Sequence, residues 1–434
     1  MLRRRSAATV FLTSMALDGA FTRTMWTTYI VFAVVDLGLD PLQLVLLGTV
    51  VEVTYLLFEV PTGVLADTVS RRLSIQIGVI GSGIAFLILG LATSFWMAVV
   101  SNVLWGIFAT FQSGADVAWL TDEVGEEEAR RLYVRGDQVW HVGALIGIAA
   151  GVAIAWFASV RLAIVAGSLG FVALGIWIVL AMPEEHFVRR KQAEGYSVTR
   201  EFSRTFRSGV SEVRSHRVLG LVLLVALLYG MASEGWDRLS SLHLLTGVGL
   251  DPTGGARTLF ALALFEAMGL AIGLGILTFM RGRVRLEGHA HVARILAALD
   301  IAMLVAAIAF ALSGSVWLAL LTSWLVEGVR SAREPVFTAW VNQGLSPETR
   351  ATVNSFATQL HSVGEASAGP LIGAVGNRSL PLALGVSAAI RFPSLLLYRR
   401  AIRRGTVGDA RPADGVLSLE EEEQPESPDD REAP

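Results

Sequence analysis

Apolar runs long enough to cross a lipid bilayer recur along the whole chain. A helix needs roughly 20 mostly apolar residues to span the hydrocarbon core, and such runs are far too long for the strands of a membrane barrel. Only 17% of the residues are charged, whereas soluble domains carry about 25%. The pattern therefore predicts an all-α, multi-pass membrane protein with twelve transmembrane helices. The predicted spans are 9–35, 41–66, 73–93, 95–119, 138–158, 160–182, 217–245, 256–280, 291–313, 315–341, 350–375 and 379–399.

The connections between these spans differ in their basic residues. Arginine is frequent before the first span and in every second connection, whereas the alternate connections contain only Arg161, Arg257 and Arg378. Cytoplasmic loops carry an excess of Lys and Arg. We therefore expect a chain in a bacterial inner or plasma membrane with both termini in the cytoplasm. The first run contains Asp18 and Arg23 and has no small-residue cleavage site, so we interpret it as a span rather than a signal peptide.

A polar stretch divides the spans six and six. Trp119 near the end of span four and Trp340 near the end of span ten lie in similar surroundings, DVAWLTDEV and PVFTAWVNQ. Two parallel six-span repeats around a central site are a known transporter architecture. We therefore predict two six-helix bundles, 1–182 and 217–404, joined by a cytoplasmic linker, 183–216.

Two polar segments flank the second bundle. Residues 200–214 of the linker form either an amphipathic helix on the membrane surface or part of a solvated linker. Residues 405–434 are rich in acidic side chains and Pro, a composition typical of disorder. We expect a disordered acidic tail there.

The sequence lacks the signatures of enzymes and metal sites. It has no cysteine, no HExxH, no phosphate-binding glycine loop and no nucleophile elbow. His289 and His291 are two residues apart in a basic loop, where exposure is the more typical state. We therefore expect no enzymatic activity, no cofactor, no metal and no nucleic-acid partner.

The hinge between the second and third runs reads GVLADTVSRR, residues 63–72. It resembles the loop signature of the major facilitator superfamily, G-x-L-a-D-r-x-G-r-r, which lies between spans two and three. Thr68 and Ser70 replace a basic residue and a glycine. The resemblance covers about residues 9–400 and implies the major facilitator fold. The matching residues are Gly63, Leu65, Asp67, Arg71 and Arg72.

The same hinge predicts a conformational latch. A helix dipole disfavours a carboxylate at its C-terminus, so Asp67 needs a partner outside its own helix. The resemblance implies that Asp67 meets the start of span eleven, and that Arg71 or Arg72 reaches Asp122. These contacts, with Gly63, would hold the outward-open state and break when the inside opens. The alternative is that the two arginines only set the orientation of the chain in the membrane. That alternative does not explain why Gly63, Asp67 and Asp122 match the family pattern.

Other family patterns are incomplete. Asn102 stands where many proton-coupled members carry an arginine in span four. In span five, Gly143, Gly147 and Gly151 keep the glycine spacing of the antiporter pattern, but Ile148 replaces its proline. The glycine row favours either close helix packing or a gating role. Direction and coupling therefore stay open at this point.

Ionisable side chains within the spans indicate possible proton binding. Each costs about 2.5–3.5 kcal/mol on insertion scales and suggests function. Proton coupling needs a carboxylate or histidine whose pKa changes as water or a cation approaches. We predict that such a group lies near mid-membrane and lacks a fixed partner on its own helix, and that Arg23 neutralises Asp18 or Glu52. Static ion pairs are the alternative for any single residue. The proton-coupling candidates are Asp18, Glu52, Glu266, His361 and Glu365.

Helical spacing predicts two local ion pairings. Residues three or four apart share a helix face. Glu327, Arg330 and Glu334 should therefore form one network in span ten. Glu234 and Arg238 should pair in span seven.

Aromatic residues accompany these charges. By the resemblance, they lie on helices that line the central cavity. Aromatic rings beside acids suit amphipathic, often cationic ligands, although packing or contact with lipid is the alternative. The predicted substrate-cavity residues are Arg23, Trp26, Tyr29, Tyr55, Trp105, Glu327 and Arg330.

The chain is similar to twelve-span bacterial drug–proton antiporters of the multidrug, macrolide and tetracycline efflux groups. We expect a monomeric, proton-coupled transporter that exports an amphipathic or drug-like small molecule by alternating access. Uptake of a metabolite by proton symport or uniport is the main alternative. A transporter-like sensor or scaffold is a second alternative, which the lack of an extra folded domain disfavours.

Overall fold

The computed structural model describes residues 6–187, 218–280, 283, 286, 288–345 and 347–408. Within these ranges the regular secondary structure is helical, and the helices form twelve spans, which confirms the predicted all-α membrane fold. α1 continues into a π-helical turn, Phe32–Asp36. The helices are α1 Ala7–Val31, α2 Pro41–Thr68, α3 Arg71–Gly90, α4 Phe95–Gln112, α5 Ala115–Val124, α6 Glu126–Phe157, α7 Val160–Ala181, α8 Leu219–Thr246, α9 Ala256–Met280, α10 His289–Ala311, α11 Val316–Val341, α12 Pro347–Gly376, α13 Leu380–Ala389 and α14 Phe392–Gly408.

Two spans consist of two helices each. The fourth span is divided into α4 and α5 at Gly114, whose φ of +71° lies in the left-handed region that glycine adopts readily. The twelfth span is divided into α13 and α14 at Ile390 and Arg391. Apolar runs reveal the length of a span but not a break inside it, because both parts remain apolar.

The fifth span differs from its prediction at its start. α6 begins at Glu126, whereas the apolar run starts at residue 138. The first turns of α6 read EEEARRLYVRGDQ. Glu, Arg and Ala favour helix strongly, but such a polar sequence escapes a criterion based on apolar length.

Nine of the described spans are long and apolar enough to cross a membrane on composition alone. The other three are α1, α11 and α12. All three carry ionisable residues such as Arg23, Arg330 and Glu365. Their lower hydropathy follows from the charges that they bring into the interior.

Glycine contacts repeat between the two halves of the chain. A Cβ on Gly147 of α6 would lie 2.1 Å from the carbonyl oxygen of Ala20 in α1. A Cβ on Gly230 of α8 would lie 2.0 Å from the carbonyl oxygen of His361 in α12. Spans one and five therefore pack as closely as spans seven and eleven, as parallel repeats require. The contacts support the packing interpretation of the glycine row.

The apolar core shows where the halves join. We call α1–α7 the N-terminal half, α8–α14 the C-terminal half, and the end of the spans near the 63–72 hinge the arginine-rich end. At that end each half has its own buried cluster, around Leu120 in one and Trp340 in the other. At the opposite end one cluster contains both Val45 of α2 and Leu239 of α8. The halves are therefore joined by a shared core at the end opposite the hinge.

Some predicted segments lie outside the described residues. They include 188–216 of the linker, with the 200–214 segment, and the tail from residue 409. Helix α14 continues to Gly408, so the first residues of the predicted tail, from 405, are helical.

Candidate functional site

A cavity of about 570 Å³ lies between the two halves. It is bounded by α2 on one side and by α8, α11 and α12 on the other. Its wall extends from Glu52 and Glu365 near mid-helix to Val341 and Asn354 towards the arginine-rich end. Because the halves join at the opposite end, this cavity faces the arginine-rich end. Its acidic and aromatic lining residues are Glu52, Tyr55, Tyr229, Glu334, Phe337 and Glu365.

Arg333 also borders this cavity, but its charge is already compensated. Its side chain is 1% exposed, and its Nε donates a 2.8 Å hydrogen bond to Asp300. Its Nη2 donates to the hydroxyl of Tyr398 at 3.3 Å. The ring of Tyr229 lies over the guanidinium, 3.7 Å from ring centroid to Cζ. The charges that remain available to a ligand are therefore mainly carboxylates.

Glu52 and Glu365 bring charge to the cavity from different halves. Glu365 accepts a hydrogen bond from Ser233 Oγ at 3.2 Å and lies 3.5 Å from His361 Nε2. Glu52 interacts with Ser362 and repels Glu365 electrostatically. Among the described residues, neither carboxylate lies within ion-pair distance of an arginine. Like Glu334 of α11, they are therefore acids of this cavity that can exchange a proton or meet a cation.

A second polar cavity, of about 390 Å³, lies among α1, α8, α9 and α11. Arg23 of α1 forms an ion pair with Glu266 of α9 and thereby joins the two halves. The prediction that Arg23 neutralises Asp18 or Glu52 is wrong. Helical spacing describes partners on one helix only, and Glu266 lies 243 residues away in the sequence.

The predicted network in span ten is only partly local. Arg330 lies 3.6 Å from Glu327, but its bidentate partner is Asp237 of α8, with a second contact of 3.2 Å. Glu327 accepts a 2.8 Å hydrogen bond from Trp236 Nε1. Glu334 instead lines the first cavity. The predicted Glu234–Arg238 contact is present at 3.5 Å.

The described centre of the molecule carries an excess of acid. Apart from Glu334 and the compensated Arg333–Asp300 pair, six carboxylates accompany three arginines of α1, α8 and α11. A buried carboxylate without a partner costs several kcal/mol. Protonation of some of these carboxylates, or a bound cation, would reduce the excess negative charge. The carboxylates are Glu52, Glu234, Asp237, Glu266, Glu327 and Glu365, and the arginines are Arg23, Arg238 and Arg330.

Asp18 lies apart from both central cavities. It accepts a 2.8 Å hydrogen bond from Trp140 Nε1 inside the N-terminal half. Together with Asp116 it borders a small cavity of about 50 Å³. Its role in proton coupling stays a prediction.

The predicted aromatic residues separate into two groups. Tyr55 lines the first cavity. Trp26 instead contacts Trp105 and Tyr29, with ring centroids 5.5 and 4.8 Å apart. Phe86 completes this cluster, 5.2 Å from Trp105. Trp26, Tyr29 and Trp105 border neither central cavity, so they support the wall of the N-terminal half from inside.

Reversal of the Arg23–Glu266 pair tests whether it joins the halves. We expect Arg23→Glu to lower the free energy of unfolding by about 1–2 kcal/mol and to reduce transport. The substitution places its own carboxylate next to that of Glu266 in a partly buried site, where the two repel each other. The double variant Arg23→Glu with Glu266→Arg should recover both properties. Thermal unfolding and substrate flux would be measured for each variant. Equal losses in the single and double variants would contradict the pairing.

The predicted latch is assembled within the N-terminal half. Arg71 donates hydrogen bonds to Asp122 and, at 2.9 Å, to the carbonyl oxygen of Ala118. Asp67 lies 3.7 Å from Arg71, and at the start of span eleven the side chains of 347–349, 351 and 352 lie outside the described residues. The Arg71–Asp122 pair is intact although the cavity faces this end. Both residues belong to one half, so the pair does not have to break when the halves separate.

The segment just after α7 also binds to this hinge. Glu184 accepts hydrogen bonds from Ser70 Oγ at 2.7 Å and from the backbone N–H of Arg72 at 2.9 Å. Trp119 Nε1 donates to the carbonyl oxygen of Pro183 at 2.8 Å. The guanidinium of Arg72 reaches Val179 instead of Asp122. Sequence reasoning missed Glu184, although the exchange of the usual glycine for Ser70 was a signal that the hinge has an additional polar partner.

Comparisons with known proteins agree with this architecture. A nucleoside transporter, NupG, superimposes with a TM-score of 0.71 at 12% identity, over 92% of this chain and 100% of that one. A bacterial homolog of the human lysosomal transporter Spinster, inward-facing and unoccupied, gives 0.70 at 15% identity, over 95% and 100%. A peptide transporter, POT, bound to alafosfalin, gives 0.67 at 11% identity, over 91% and 95%. At these identities the similarity shows the fold.

Sequence relatives match shorter regions. The MFS-type transporter YxaM of Bacillus subtilis (strain 168), described as uncharacterized, is 27% identical over 128 residues, which are 29% of this chain and 31% of that protein. A probable hexose phosphate transport protein of Chlamydia trachomatis serovar D is 33% identical over 92 residues, 21% and 20% of the two chains. The alignments therefore span about a third of the first relative's length and a fifth of the second's.

One protein-family model matches a large part of the chain. The model described as Major Facilitator Superfamily matches residues 11–299, which are more than half of the chain. The match includes the 63–72 hinge and the first eight spans. The chain therefore belongs to the Major Facilitator Superfamily of transporters.

Proposed function

We propose that this transporter is proton-coupled and exports an amphipathic or drug-like small molecule by alternating access. The observation that carries the proposal is the cavity between the halves, where Glu52 and Glu365 have no arginine partner among the described residues. A proton and a positively charged or polar substrate would compete for these carboxylates. Competition for one acidic site is a simple physical basis for exchange of the two.

The conformational cycle follows from where the halves join. In this proposal, residues 1–182 and 217–404 rock against each other, with 183–216 as their connection, in a monomer. By the positive-inside rule the arginine-rich end is cytoplasmic, so the described state is open to the cytoplasm. A substrate would enter there, and closure of this end with separation of the opposite end would release it outside.

The charge of the cavity bears on the substrate. Arg23, Arg238, Arg330 and Arg333 are paired with Glu266, Glu234, Asp237 and Asp300, so none of these four is free for a phosphate. Arg391 is buried behind Tyr229 and borders neither central cavity. An organophosphate, the cargo suggested by the name of the chlamydial relative, would meet excess carboxylates instead. Aromatic rings beside acids favour an amphipathic molecule with positive charge or neutral polar groups.

Proteoliposomes with an imposed pH gradient and an internal pH dye would test this function. We expect substrate-dependent proton movement in the wild type and its loss in Glu52→Gln or Glu365→Gln. Glu59→Gln is the matched control, since Glu59 lies on the same helix as Glu52 but borders neither central cavity. If the substrate moves outward while protons move inward, the transporter is an antiporter. If substrate and protons move in the same direction, it is a symporter. Substrate flux without proton movement would contradict coupling and leave a uniporter.

A further inference from the structure

Glu234 occupies an unusual position among the central acids. Its side chain is 1% exposed, whereas Glu52 and Glu365 border an open cavity. Its Oε1 has no hydrogen-bond partner in the described structure, and the Arg238 Nε that faces it is 3.5 Å away. A buried carboxylate with so little compensation is costly. Protonation would remove this cost, because the neutral carboxyl group is easier to bury than the carboxylate.

Two glycines allow the helices around Glu234 to seal it. A Cβ on Gly48 of α2 would lie 2.1 Å from Arg238 Nε and 2.7 Å from Glu234 Oε1. A Cβ on Gly369 of α12 would lie 2.4 Å from Thr49 Oγ1 and 3.6 Å from Glu234 Cγ. We call this contact of Gly48, Thr49 and Gly369 over Glu234 the seam. It closes the route from Glu234 to the end opposite the hinge.

The seam lies next to the open cavity. Gly48 precedes Glu52 by four residues, so it lies about 6 Å nearer the opposite end of α2. Arg238 interacts electrostatically with Glu234 and Asp237 on its own helix, with Glu52 on α2 and with Glu365 on α12. One guanidinium therefore lies beside a sealed carboxylate at 3.5 Å and attracts, from beyond ion-pair distance, two carboxylates that face the cavity.

We propose that Glu234 is a second proton-binding residue, sealed in this state and reached from the opposite side of the membrane when the seam opens. A proton that binds to the Glu234 carboxylate removes its negative charge. Arg238 then interacts mainly with the negative charges of Glu52 and Glu365. When protons bind to Glu52 and Glu365, Arg238 returns to an ionised Glu234. Arg238 thus acts as a positioning residue between the two sites. The inference rests on the proposed proton-coupled function.

The absence of cysteine from the chain permits a direct test of access. In single-cysteine variants, a membrane-impermeant maleimide should label Glu234→Cys only from the side opposite the hinge, and Glu52→Cys from the hinge side. Gly369→Ala, whose Cβ would lie against the short, β-branched side chains of Thr49 and Val45 on α2, forces the seam apart and should raise the labelling rate of Glu234→Cys by about tenfold. Gly275→Ala is the matched control, because nothing lies within 4 Å of its Cβ position. Labelling of Glu234→Cys from the hinge side as fast as Glu52→Cys would overturn the inference.

A second experiment tests proton binding. Glu234→Gln in proteoliposomes should keep exchange of substrate at equal concentrations on both sides and lose accumulation driven by a pH gradient. Glu234→Asp, which retains a carboxyl group, should restore accumulation with a shifted pH profile. Preserved exchange also shows that the variant is folded. Loss of exchange in both Glu234→Gln and Glu234→Asp would mean that Glu234 has a structural role, and it would overturn the inference. Equal pH-driven accumulation in wild type and Glu234→Gln would refute this inference alone, whereas no proton movement in the wild type would refute the proposed function as well.

Discussion

Substitution of Asp300 by alanine is expected to lower the free energy of unfolding by about 3–5 kcal/mol. Asp300 accepts hydrogen bonds from Arg333 Nε at 2.8 Å and from the Tyr398 hydroxyl at 2.7 Å. Both Asp300 and Arg333 are 1% exposed. Loss of the carboxylate leaves a buried guanidinium without its counter-ion, and removal of one partner costs far more than removal of both. Thermal unfolding in detergent, followed by size-exclusion chromatography, measures the effect.

Two controls separate the ion pair from general damage. The double variant Asp300→Leu with Arg333→Met removes both charges, and we expect it to recover most of the lost stability. Asp36→Ala breaks a pair with Arg161 at 3.3 Å, where both side chains are about a third exposed, and should cost less than about 1 kcal/mol. A double variant as unstable as Asp300→Ala would show that Arg333 does not depend on this carboxylate.

Substitution of Gly147 by valine is expected to cost about 3 kcal/mol by forcing α1 and α6 apart. The added Cβ would lie 2.1 Å from the carbonyl oxygen of Ala20 and 3.0 Å from its Cα. Because these are backbone atoms, no side-chain rotation relieves the clash. The amount of folded protein in the membrane fraction and its melting temperature measure the loss.

A valine at an open glycine provides the comparison. Gly275 of α9 has nothing within 4 Å of its Cβ position, so Gly275→Val should change stability by the helix-propensity difference only, less than about 1 kcal/mol. Gly230→Val, at the equivalent contact of the second repeat, should resemble Gly147→Val. Similar losses at Gly147 and Gly275 would show that helix propensity, and not close packing, explains the effect.

Local contacts were predicted well where both partners lie on one helix or one hinge. Spacing of four residues placed Glu234 beside Arg238. The hinge resemblance named Arg71 or Arg72 as the partner of Asp122 at the end of span four, and in the structure Arg71 occupies that place. Contacts between distant helices were not predicted, because each span can rotate about its axis and slide along its neighbours. Arg23 therefore received the wrong partner.

The sequence by itself determined the class of protein, the number of spans and the charges placed inside the membrane. Apolar length and arginine distribution are local properties, and each span must satisfy its own backbone hydrogen bonds within the bilayer, so a helix follows from its own residues. Only the tertiary structure decided which of those charges are paired, which face the cavity and which are sealed. Glu52 and Glu234 are both acids in apolar runs, and they differ because close contacts at Gly48 and Gly369 cover one and leave the other open.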